Sequence, residues 1–385
     1  MQYNFDEVIP RRESDSIKWN LYDQKVLPFW VADMDFKSPQ PVIDALEARI
    51  RHGVFGYAAE DKKLKEVIKE RLHNLYQWNV SVEEIVFLPG VVNGFNLVIH
   101  ALTNPGEHIL MQPPVYHPFL FAPQNARALR KDLPLKIDQD RIYHIDFDYF
   151  KDSVDSNSGL FLLCNPHNPV GRVFTKDELS KMAEICLENE IFICSDEIHA
   201  DIIFPGHKHI PIASLSPEIA KKTITLMAPS KTFNIAGLGC SFAVVQNPEL
   251  MNRMKLARNG LVSEVNLLGY TAALAAYQHG QEWLSQLLVY LEGNWDTLVN
   301  FVEENLPEIK ITPLEGTYLA WLDCRDMKID GSPYEFFLQE AKVAFNDGKI
   351  FGPGGEGFVR LNFGCPRSML MEGLERMKLA VENVS

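Results

Sequence analysis

The chain has 385 residues, of which 46% are hydrophobic, and its formal net charge at pH 7 is −14. This length exceeds what one hydrophobic core usually supports, so two domains are predicted. The acidic balance argues against non-specific nucleic-acid binding, which requires a basic face. No apolar run approaches the roughly 18 residues that a membrane-spanning helix needs, so we expect no membrane association.

The amino terminus and the cysteines together indicate a compartment. Residues 1–7 lack the basic start and the apolar stretch of a secretory signal. The six cysteines are scattered and none forms a C-x-x-C pair. Several lie inside apolar runs, which is typical of buried thiols in a reducing environment. We therefore expect a cytoplasmic protein.

Short apolar runs alternate with helical patterns through the first part of the chain. Runs without polar alternation suit strands that are buried on both faces, and they begin at Glu84, His108, Gly159, Ile191, Thr223 and Cys240. Helical segments lie between several of them. The clearest opens with Thr175 and has Glu178 three residues later, a capping box. This alternation predicts an α/β fold with a mostly parallel sheet and helices on both faces.

The pattern changes after about residue 277. A long helical period fills residues 281–306. Strand-like runs and a closing helix follow, beginning at Lys310, Thr317, Gly357 and about Ser368. This mixture predicts a smaller α+β domain, which the amino-terminal segment joins in space. We therefore expect a large domain of residues 41–280 and a small domain formed by residues 1–40 together with 281–385.

Polar residues follow three of the predicted strands, at the edge where open α/β sheets bind ligands. The strand from Gly159 ends in a loop whose two Asn-Pro dipeptides define sharp turns and hold Asn168 rigidly. The next strand ends at Asp196, whose carboxylate is poorly solvated without a cationic partner. Lys231 follows a third strand, and its amine is either a solvated charge or a reactive group.

The residues around Asp196 admit two interpretations. Metal ligands are commonly imidazole and carboxylate groups, which here belong to Asp196, Glu197, His199 and Asp201. On a strand or loop, however, these side chains face different sides and their spacing matches no metal motif, so we predict no metal site. In the other interpretation Asp196 pairs with a protonated pyridinium and Lys231 attaches an aldehyde, as pyridoxal phosphate requires.

Four separated motifs follow one another along the chain: Asn168-Pro-Val-Gly, Asp196, Ser230-Lys231 and Arg360. In this order they resemble the fold-type-I pyridoxal-phosphate enzymes of the aspartate aminotransferase superfamily, and the resemblance covers essentially the whole chain. The W-V-A-D-M-D-F run from Trp30 resembles the cystathionine β-lyase or C-S lyase branch. The resemblance implies a large domain with a mostly parallel seven-stranded sheet, plus a smaller α+β domain.

The resemblance also implies roles for single residues. Lys231 binds the cofactor covalently and, once the substrate amine has freed it, removes the substrate's Cα proton. Asp196 keeps the pyridine nitrogen protonated, Asn168 donates to the phenolic oxygen, and Tyr116 stacks on the ring. His199 stands where many relatives have a tyrosine that shares the bond to the phenolic oxygen. A histidine satisfied within its own loop is the alternative.

The chain departs from the pattern of many aminotransferases at the residues expected to bind the cofactor's phosphate. Many aminotransferases have a phosphate-binding arginine eight residues after the lysine, where this chain has Gly239. We expect the phosphate to be held instead by side chains and helix-terminal amides, namely those of Ser230, Val91, Val92 and Tyr57. In the family the equivalent of Tyr57 reaches into the neighbouring subunit, so the resemblance implies a homodimer with composite active sites.

Substrate recognition is predicted at Arg360, whose planar guanidinium suits bidentate capture of an α-carboxylate; a structural salt bridge is the alternative. Asn168 and the backbone of Ala32 are expected in the same pocket. The implied reaction is an α,β-elimination from L-cystathionine or a related S-substituted cysteine, giving a thiol, pyruvate and ammonia. Tyr57 or Tyr116 is expected to assist protonation of the leaving group, for which Lys231 is a further candidate.

Two other functions stay open on the sequence. An aminotransferase of L-amino acids shares the early steps and differs only in where the intermediate is protonated. A regulatory protein-binding role, beside catalysis or instead of it, leaves no motif in the chain. The glycine at position 239 favours carbon–sulfur cleavage, and methionine biosynthesis is the pathway that such a reaction implies.

Overall fold

The computed structural model describes residues 2–383. The α-helices are α1 (Ile17–Asn20), α2 (Gln40–His52), α3 (Lys62–Tyr76), α4 (Val91–Leu102), α5 (His117–Asn125), α6 (Phe147–Ser153), α7 (Lys176–Glu188), α8 (Pro217–Lys222), α9 (Pro229–Thr232), α10 (Pro248–Arg258), α11 (Leu267–His279), α12 (Gln281–Asn305), α13 (Pro333–Phe336) and α14 (Arg367–Glu382). Within residues 2–383, none of these helices combines the length and the apolar character that crossing a bilayer requires.

The β-strands are β1 (Leu27–Pro28), β2 (Ile85–Leu88), β3 (His108–Met111), β4 (Leu129–Asp132), β5 (Lys136–Ile137), β6 (Tyr143–His144), β7 (Ser158–Cys164), β8 (Phe192–Asp196), β9 (Thr223–Met227), β10 (Ser241–Val245), β11 (Lys310–Ile311), β12 (Leu319–Asp323), β13 (Val343–Ala344), β14 (Asn346–Asp347) and β15 (Phe358–Asn362). They form one large sheet, one smaller sheet and two short pairs.

The large sheet has seven strands among the described residues, in the order β2-β10-β9-β8-β7-β3-β4. Strands β4, β3, β7, β8 and β9 are parallel, whereas β10 runs antiparallel to both of its neighbours. Every residue of β2, β9 and β10 is buried. These observations confirm the predicted α/β fold with its mostly parallel seven-stranded sheet, because strands buried on both faces are continuous apolar runs.

The edge strand β4 was not predicted. Its sequence is Leu-Arg-Lys-Asp, and its first two residues are exposed. In the described part of the chain it pairs with β3 alone, so one of its edges faces away from the sheet. Charged residues are typical of such edge strands because they discourage pairing with other chains. The strand therefore carries no apolar signal in the sequence.

The smaller sheet has the order β11-β12-β15-β14 and is antiparallel. The short strand β1 pairs in parallel with β13, which brings Leu27 opposite Val343. The amino-terminal segment thus packs against the carboxyl-terminal third of the chain. The core that they share also contains Phe233 and Ala276, so the division at residues 41 and 281 stays a prediction.

Helix α7 begins as the sequence indicated. The Thr175 hydroxyl accepts a hydrogen bond from the backbone N–H of Glu178 at 3.3 Å, and the Glu178 carboxylate accepts from the Thr175 N–H at 2.8 Å. These reciprocal bonds satisfy two amide groups that the helix itself leaves unpaired. The cap fixes the start of a helix that packs beside β8.

Removing the hydroxyl of this cap should destabilise the protein measurably. We expect Thr175→Ala to lower the free energy of unfolding by about 1 kcal/mol, because the Glu178 N–H loses its acceptor. Chemical denaturation followed by circular dichroism measures the change. Thr175→Ser keeps the hydroxyl and is the control. Equal stabilities for the alanine and serine variants would contradict the proposed contribution of the cap.

Candidate active site

The carboxyl ends of three neighbouring parallel strands bring the predicted residues together. The register places Asp196 of β8 beside Cys164 of β7 and Leu226 of β9. The chain reaches Asn168 and Lys231 shortly after β7 and β9 end. A cavity of about 280 Å³ lies at this edge. The predicted residues that line it are Ala32, Val91, Val92, Tyr116, Asn168, Asp196, His199, Ser230 and Lys231.

Asp196 is a buried carboxylate, with 4% of its surface exposed. The backbone N–H of Ile198 donates to its Oδ1 at 3.1 Å, and no side chain within residues 2–383 bonds to it. Burial raises the pKa of Asp196 from 3.8 to about 7, although this bond and the charge of Lys231 act in the opposite direction. A carboxylate in such surroundings gains from a cationic N–H partner.

Lys231 lies on the single-turn helix α9, and its side chain is partly buried. The Nζ atom donates to the backbone oxygen of Ala32 at 2.6 Å. Burial lowers the pKa of Lys231 from 10.5 to about 8, while the charge of Asp33 acts in the opposite direction. A substantial fraction of the amine is therefore neutral near pH 8, and only the neutral form acts as a nucleophile or base.

Asn234 ties the turn that carries Lys231 to the amino-terminal segment. Its Nδ2 donates to the backbone oxygens of Met34 and Phe36 at 2.9 and 2.8 Å, and its Oδ1 accepts from the Met34 N–H at 2.9 Å. Its φ of 55° lies in the left-handed region, which asparagine tolerates better than most residues. These bonds hold the chain next to Ala32 against the lysine turn. Sequence reasoning gave Asn234 no role.

Arg360 lies on β15 and reaches the site from the smaller sheet. Its Nη1 donates to Oδ1 of Asn168 at 2.8 Å, and its Nη2 donates to the backbone oxygen of Trp30 and to Oδ1 of Asn346 at 2.9 and 2.6 Å. Its Nε is buried and has no partner within residues 2–383. Burial lowers the pKa of Arg360 to about 10. Within the described chain no carboxylate pairs with it, so the structural salt bridge is not observed.

His199 and Tyr116 are held as neutral side chains. Burial together with the charges of Lys231 and Arg360 lowers the pKa of His199 well below its usual value, and its Nδ1 has no partner. The loop therefore leaves this ring incompletely satisfied. Tyr116 precedes α5, and burial raises the pKa of its hydroxyl. Both side chains can serve as hydrogen-bonding groups without carrying charge.

The amino terminus of helix α4 opens onto the cavity. Gly90 precedes the helix and supplies no capping side chain, so the first amide groups are available to an anion. Ser230 lines the same cavity. At Gly239 the φ is +58°, and a Cβ atom there would lie 3.2 Å from the backbone oxygen of Pro89. The backbone thus disfavours an arginine at position 239.

Tyr57 does not line the cavity of its own chain. It is fully exposed, and Val54 and Phe55 beside it are exposed as well. The segment from Gly53 to Glu60 has no regular secondary structure. An exposed apolar stretch of this kind is typical of a contact surface. The predicted role of Tyr57 therefore requires a second subunit.

Two of the four side chains considered as metal ligands are engaged in ion pairs, and the other two, Asp196 and His199, line the cavity. A carboxylate oxygen of Glu197 lies 2.7 Å from Nε2 of His209, and Asp201 pairs with Arg71 at 2.6 Å. Within residues 2–383, no three His, Cys, Asp or Glu side chains are arranged to hold a metal ion. The four side chains are thus divided between two separate ion pairs and the lining of the cavity.

The residues of the cavity fit pyridoxal phosphate. A protonated ring nitrogen would suit the buried carboxylate of Asp196, which has no side-chain partner among the described residues. The amine of Lys231 would attach an aldehyde, and the uncapped start of α4 would hold a phosphate. The unpaired Nδ1 of His199 is a further polar group for a ligand in this pocket. Each polar part of the cofactor therefore has a complementary group in one cavity.

Comparisons with known proteins give a consistent result. The sequence model of the family described as aminotransferase class I and II matches residues 24–377. A Bacillus subtilis protein named cystathionine beta-lyase PatB is 40% identical, over 98% of this chain and 100% of its own. A Corynebacterium glutamicum protein named cystathionine beta-lyase is 31% identical, over 97% and 98%. The crystal structure of cystalysin from Treponema denticola, described as containing pyridoxal 5'-phosphate, has a TM-score of 0.96 at 36% identity, and each chain covers 100% of the other.

The buried carboxylate should reveal itself as a pH-dependent loss of stability. The pKa of Asp196 is about 7 in the folded chain and 3.8 without burial. Between these values the folded state holds a proton that the unfolded state lacks, so stability falls as pH rises. We expect Asp196→Asn to stabilise the cofactor-free protein by roughly 2–4 kcal/mol at pH 8 and to have little effect near pH 4.

Urea unfolding of the cofactor-free protein across this pH range measures the effect. Asp152→Asn, at an exposed position, is the control and should change stability little at any pH. If the stability difference between Asp196→Asn and the unmodified protein is the same at all pH values, the raised pKa of Asp196 is refuted.

Proposed function

The chain belongs to the aminotransferase class I and II family, and from that premise we propose that it is a pyridoxal-phosphate-dependent carbon–sulfur β-lyase. Its substrate is L-cystathionine or a related S-substituted cysteine, and its products are a thiol, pyruvate and ammonia. The observation that carries the proposal is that Asp196 and Lys231 line one pocket, and that Arg360 contacts Asn168 in the wall of the same pocket. The relatives named cystathionine beta-lyase support the lyase reading.

Bound pyridoxal phosphate supplies an electron-withdrawing ring that stabilises negative charge at the substrate's Cα. Lys231 attaches the cofactor and Asp196 holds its ring nitrogen protonated. Asn168 and His199 provide polar groups for the phenolic oxygen, and Tyr116 provides an aromatic face for the ring. In this arrangement the raised pKa of Asp196 falls again once a cationic partner is present.

The phosphate is assigned to the amino terminus of α4. The backbone amides of Val91 and Val92 lie in its first turn, where the partial positive charge of a helix is concentrated. Ser230 adds a hydroxyl from the lysine turn, and Tyr57 of a second subunit adds another. This set replaces the arginine that the backbone at Gly239 disfavours.

Arg360 binds the α-carboxylate of the substrate. Its Nε–H has no partner among the described residues, and a carboxylate satisfies that donor together with a neighbouring guanidinium N–H. Asn168, which already contacts Arg360 at 2.8 Å, lies beside the same carboxylate. The backbone at Ala32 forms an adjacent wall of the cavity. Held in this way, the substrate presents its Cα–H bond to Lys231.

Lys231 removes the Cα proton, for which its lowered pKa of about 8 is suited. The ammonium that results can return the proton to the departing sulfur. Tyr116 is a second donor, because burial raises the pKa of its hydroxyl and keeps it protonated. Tyr57 of the partner subunit is the third candidate proton donor. Sulfur leaves as a thiol, and the remaining three-carbon fragment hydrolyses to pyruvate and ammonia.

An aminotransferase is the second candidate, because the family as a whole carries that description. We place it second since the two relatives compared above, at 40% and 31% identity, are both named as lyases. A regulatory role gains no support from any described residue. All six cysteines are free and buried, which fits the proposed cytoplasmic location, and a place in methionine biosynthesis follows from the proposed substrate.

Pyruvate formation tests the proposed reaction directly. With pyridoxal phosphate bound, the protein should release pyruvate from L-cystathionine without an added keto acid. Lys231→Ala should lower this rate by roughly 10²–10⁴-fold, because it removes the base and the covalent attachment. Lys208→Ala, at an exposed position, is the matched control and should retain activity. A strict requirement for a keto acid would instead establish the aminotransferase.

Mixing two defective variants tests the composite site of the proposed homodimer. Lys231→Ala and Tyr57→Ala should each have little activity alone. After the two are unfolded and refolded together, half of the dimers contain one site with both native residues, so about a quarter of the native activity should return. Size-exclusion chromatography identifies the dimer. No recovery of activity in a verified mixed dimer would contradict a partner contribution from Tyr57.

A further inference from the structure

Four successive backbone carbonyls beside the cavity accept hydrogen bonds from side chains. They belong to residues 30–33, a segment without helix or strand. Arg360 donates to the carbonyl of Trp30, and Asn362 donates to those of Val31 and Asp33. Lys18 also donates to the carbonyl of Asp33. The carbonyl of Ala32 accepts from both Lys231 and Tyr318. Since the two bonds from Asn362 are both 2.6 Å long, the Ala32 carbonyl between them is held firmly.

The Ala32 oxygen receives two donors at once. Lys231 Nζ lies 2.6 Å from it and the hydroxyl oxygen of Tyr318 lies 2.9 Å from it. A carbonyl oxygen has two lone pairs, so both bonds form together. Tyr318 is 1% exposed, and its ring lies 5.9 Å from the ring of His199. Within residues 2–383 the shared Ala32 oxygen is the hydrogen-bonding link between this tyrosine and the reactive amine.

We propose that Tyr318 is a positioning residue that acts on Lys231 through the Ala32 carbonyl, orienting the free amine and favouring its neutral form. The inference rests on the proposed function, in which Lys231 must be neutral whenever it attacks the cofactor or accepts a proton. It adds a residue that the sequence motifs did not indicate.

The orienting effect follows from the geometry. A neutral amine has two N–H groups and one lone pair, and the bond to Ala32 engages one N–H. The carbonyl cannot turn toward a better position for Lys231, because Tyr318 holds the same oxygen and Asn362 holds the flanking peptides. The lone pair is thereby confined to the remaining directions around Nζ.

The effect on charge follows from competition for one oxygen. The hydroxyl of Tyr318 places its partly positive hydrogen against the oxygen that accepts from Lys231. This bond weakens the hydrogen bond that the same oxygen accepts from Lys231. The weakening costs the ammonium form more than the neutral amine, because hydrogen bonds from charged groups are stronger. Burial raises the pKa of Tyr318 itself, so its hydroxyl stays protonated and continues to donate.

Other charges around Lys231 act in both directions. Asp33 and Asp196 raise the pKa of the amine, whereas Arg360 lowers it. Asp33 is itself paired with Arg11 at 2.7 Å and lies 3.6 Å from Lys18, which weakens its influence.

His199 also faces the amine, but its pKa is lowered well below the usual value, so it contributes no charge. The opposed charges leave the pKa of Lys231 sensitive to a neutral donor such as the Tyr318 hydroxyl.

The rate at which cofactor-free protein takes up pyridoxal phosphate tests this proposal without any substrate. Covalent attachment needs the neutral amine, so the pH midpoint of the rate reports the pKa of Lys231. We expect Tyr318→Phe to move the midpoint upward by about 0.5–1 unit, which slows uptake about three- to tenfold near pH 7. Titration of the cofactor itself is common to all variants and cancels in the comparison.

Tyr143→Phe is the matched control. Tyr143 is also buried, its hydroxyl accepts a bond from Trp321, and neither residue lines the cavity, so the midpoint should not move. Site-specific 3,5-difluorotyrosine at position 318 is a stronger donor of similar size and should shift the midpoint downward. This second replacement gives a result even where Tyr318→Phe folds poorly.

Coincident midpoints for the unmodified protein and the folded position-318 variants would overturn the role of Tyr318. They would leave the proposed lyase function intact. A protein that takes up no pyridoxal phosphate at any pH would instead refute the proposed function.

Discussion

Three ionisable side chains lie at one site without pairing with one another, and this constraint shapes the whole site: Asp196 and Lys231 line the cavity, and Arg360 contacts Asn168 in its wall. Asp196, Lys231 and Arg360 each bond only to neutral groups among the described residues. Burial shifts each pKa toward the neutral form, to about 7, 8 and 10. A cofactor with a cationic ring nitrogen and an aldehyde would offset the cost of burying Asp196 and Lys231. The carboxylate of a bound substrate would do the same for Arg360.

Neutral amides connect the two sheets around this pocket. Asn168 follows the large sheet and contacts Arg360 of the smaller one. Asn362 binds the backbone on either side of Ala32, and Asn234 binds the chain just beyond it. Side-chain amides suit this purpose because they donate and accept without adding charge. The relative position of lysine and arginine therefore depends on three asparagines, of which Asn234 and Asn362 have no role in the proposed reaction.

The sequence predicts this molecule best where the information is local. The buried strands β7, β8 and β9 were visible as apolar runs, and Asn168, Asp196 and Lys231 were found because each follows such a run. The edge strand β4 was invisible, since its charged residues resemble a loop. Asn346, Asn234 and Tyr318 were missed as well, because their partners are set by tertiary pairing; Asn234 and Met34, for example, are 200 positions apart. The role of Tyr57 stays a prediction, since it depends on a second chain.

The burial of all six cysteines has a chemical consequence for a protein proposed to generate thiols. A released thiol oxidises readily and can then form mixed disulfides with any protein thiolate that it meets. Here burial raises the pKa of every cysteine. Even Cys164, which lines the cavity, has the charge of Asp196 acting against its ionisation. The protein thus offers its own sulfur-containing products almost no nucleophile with which to react.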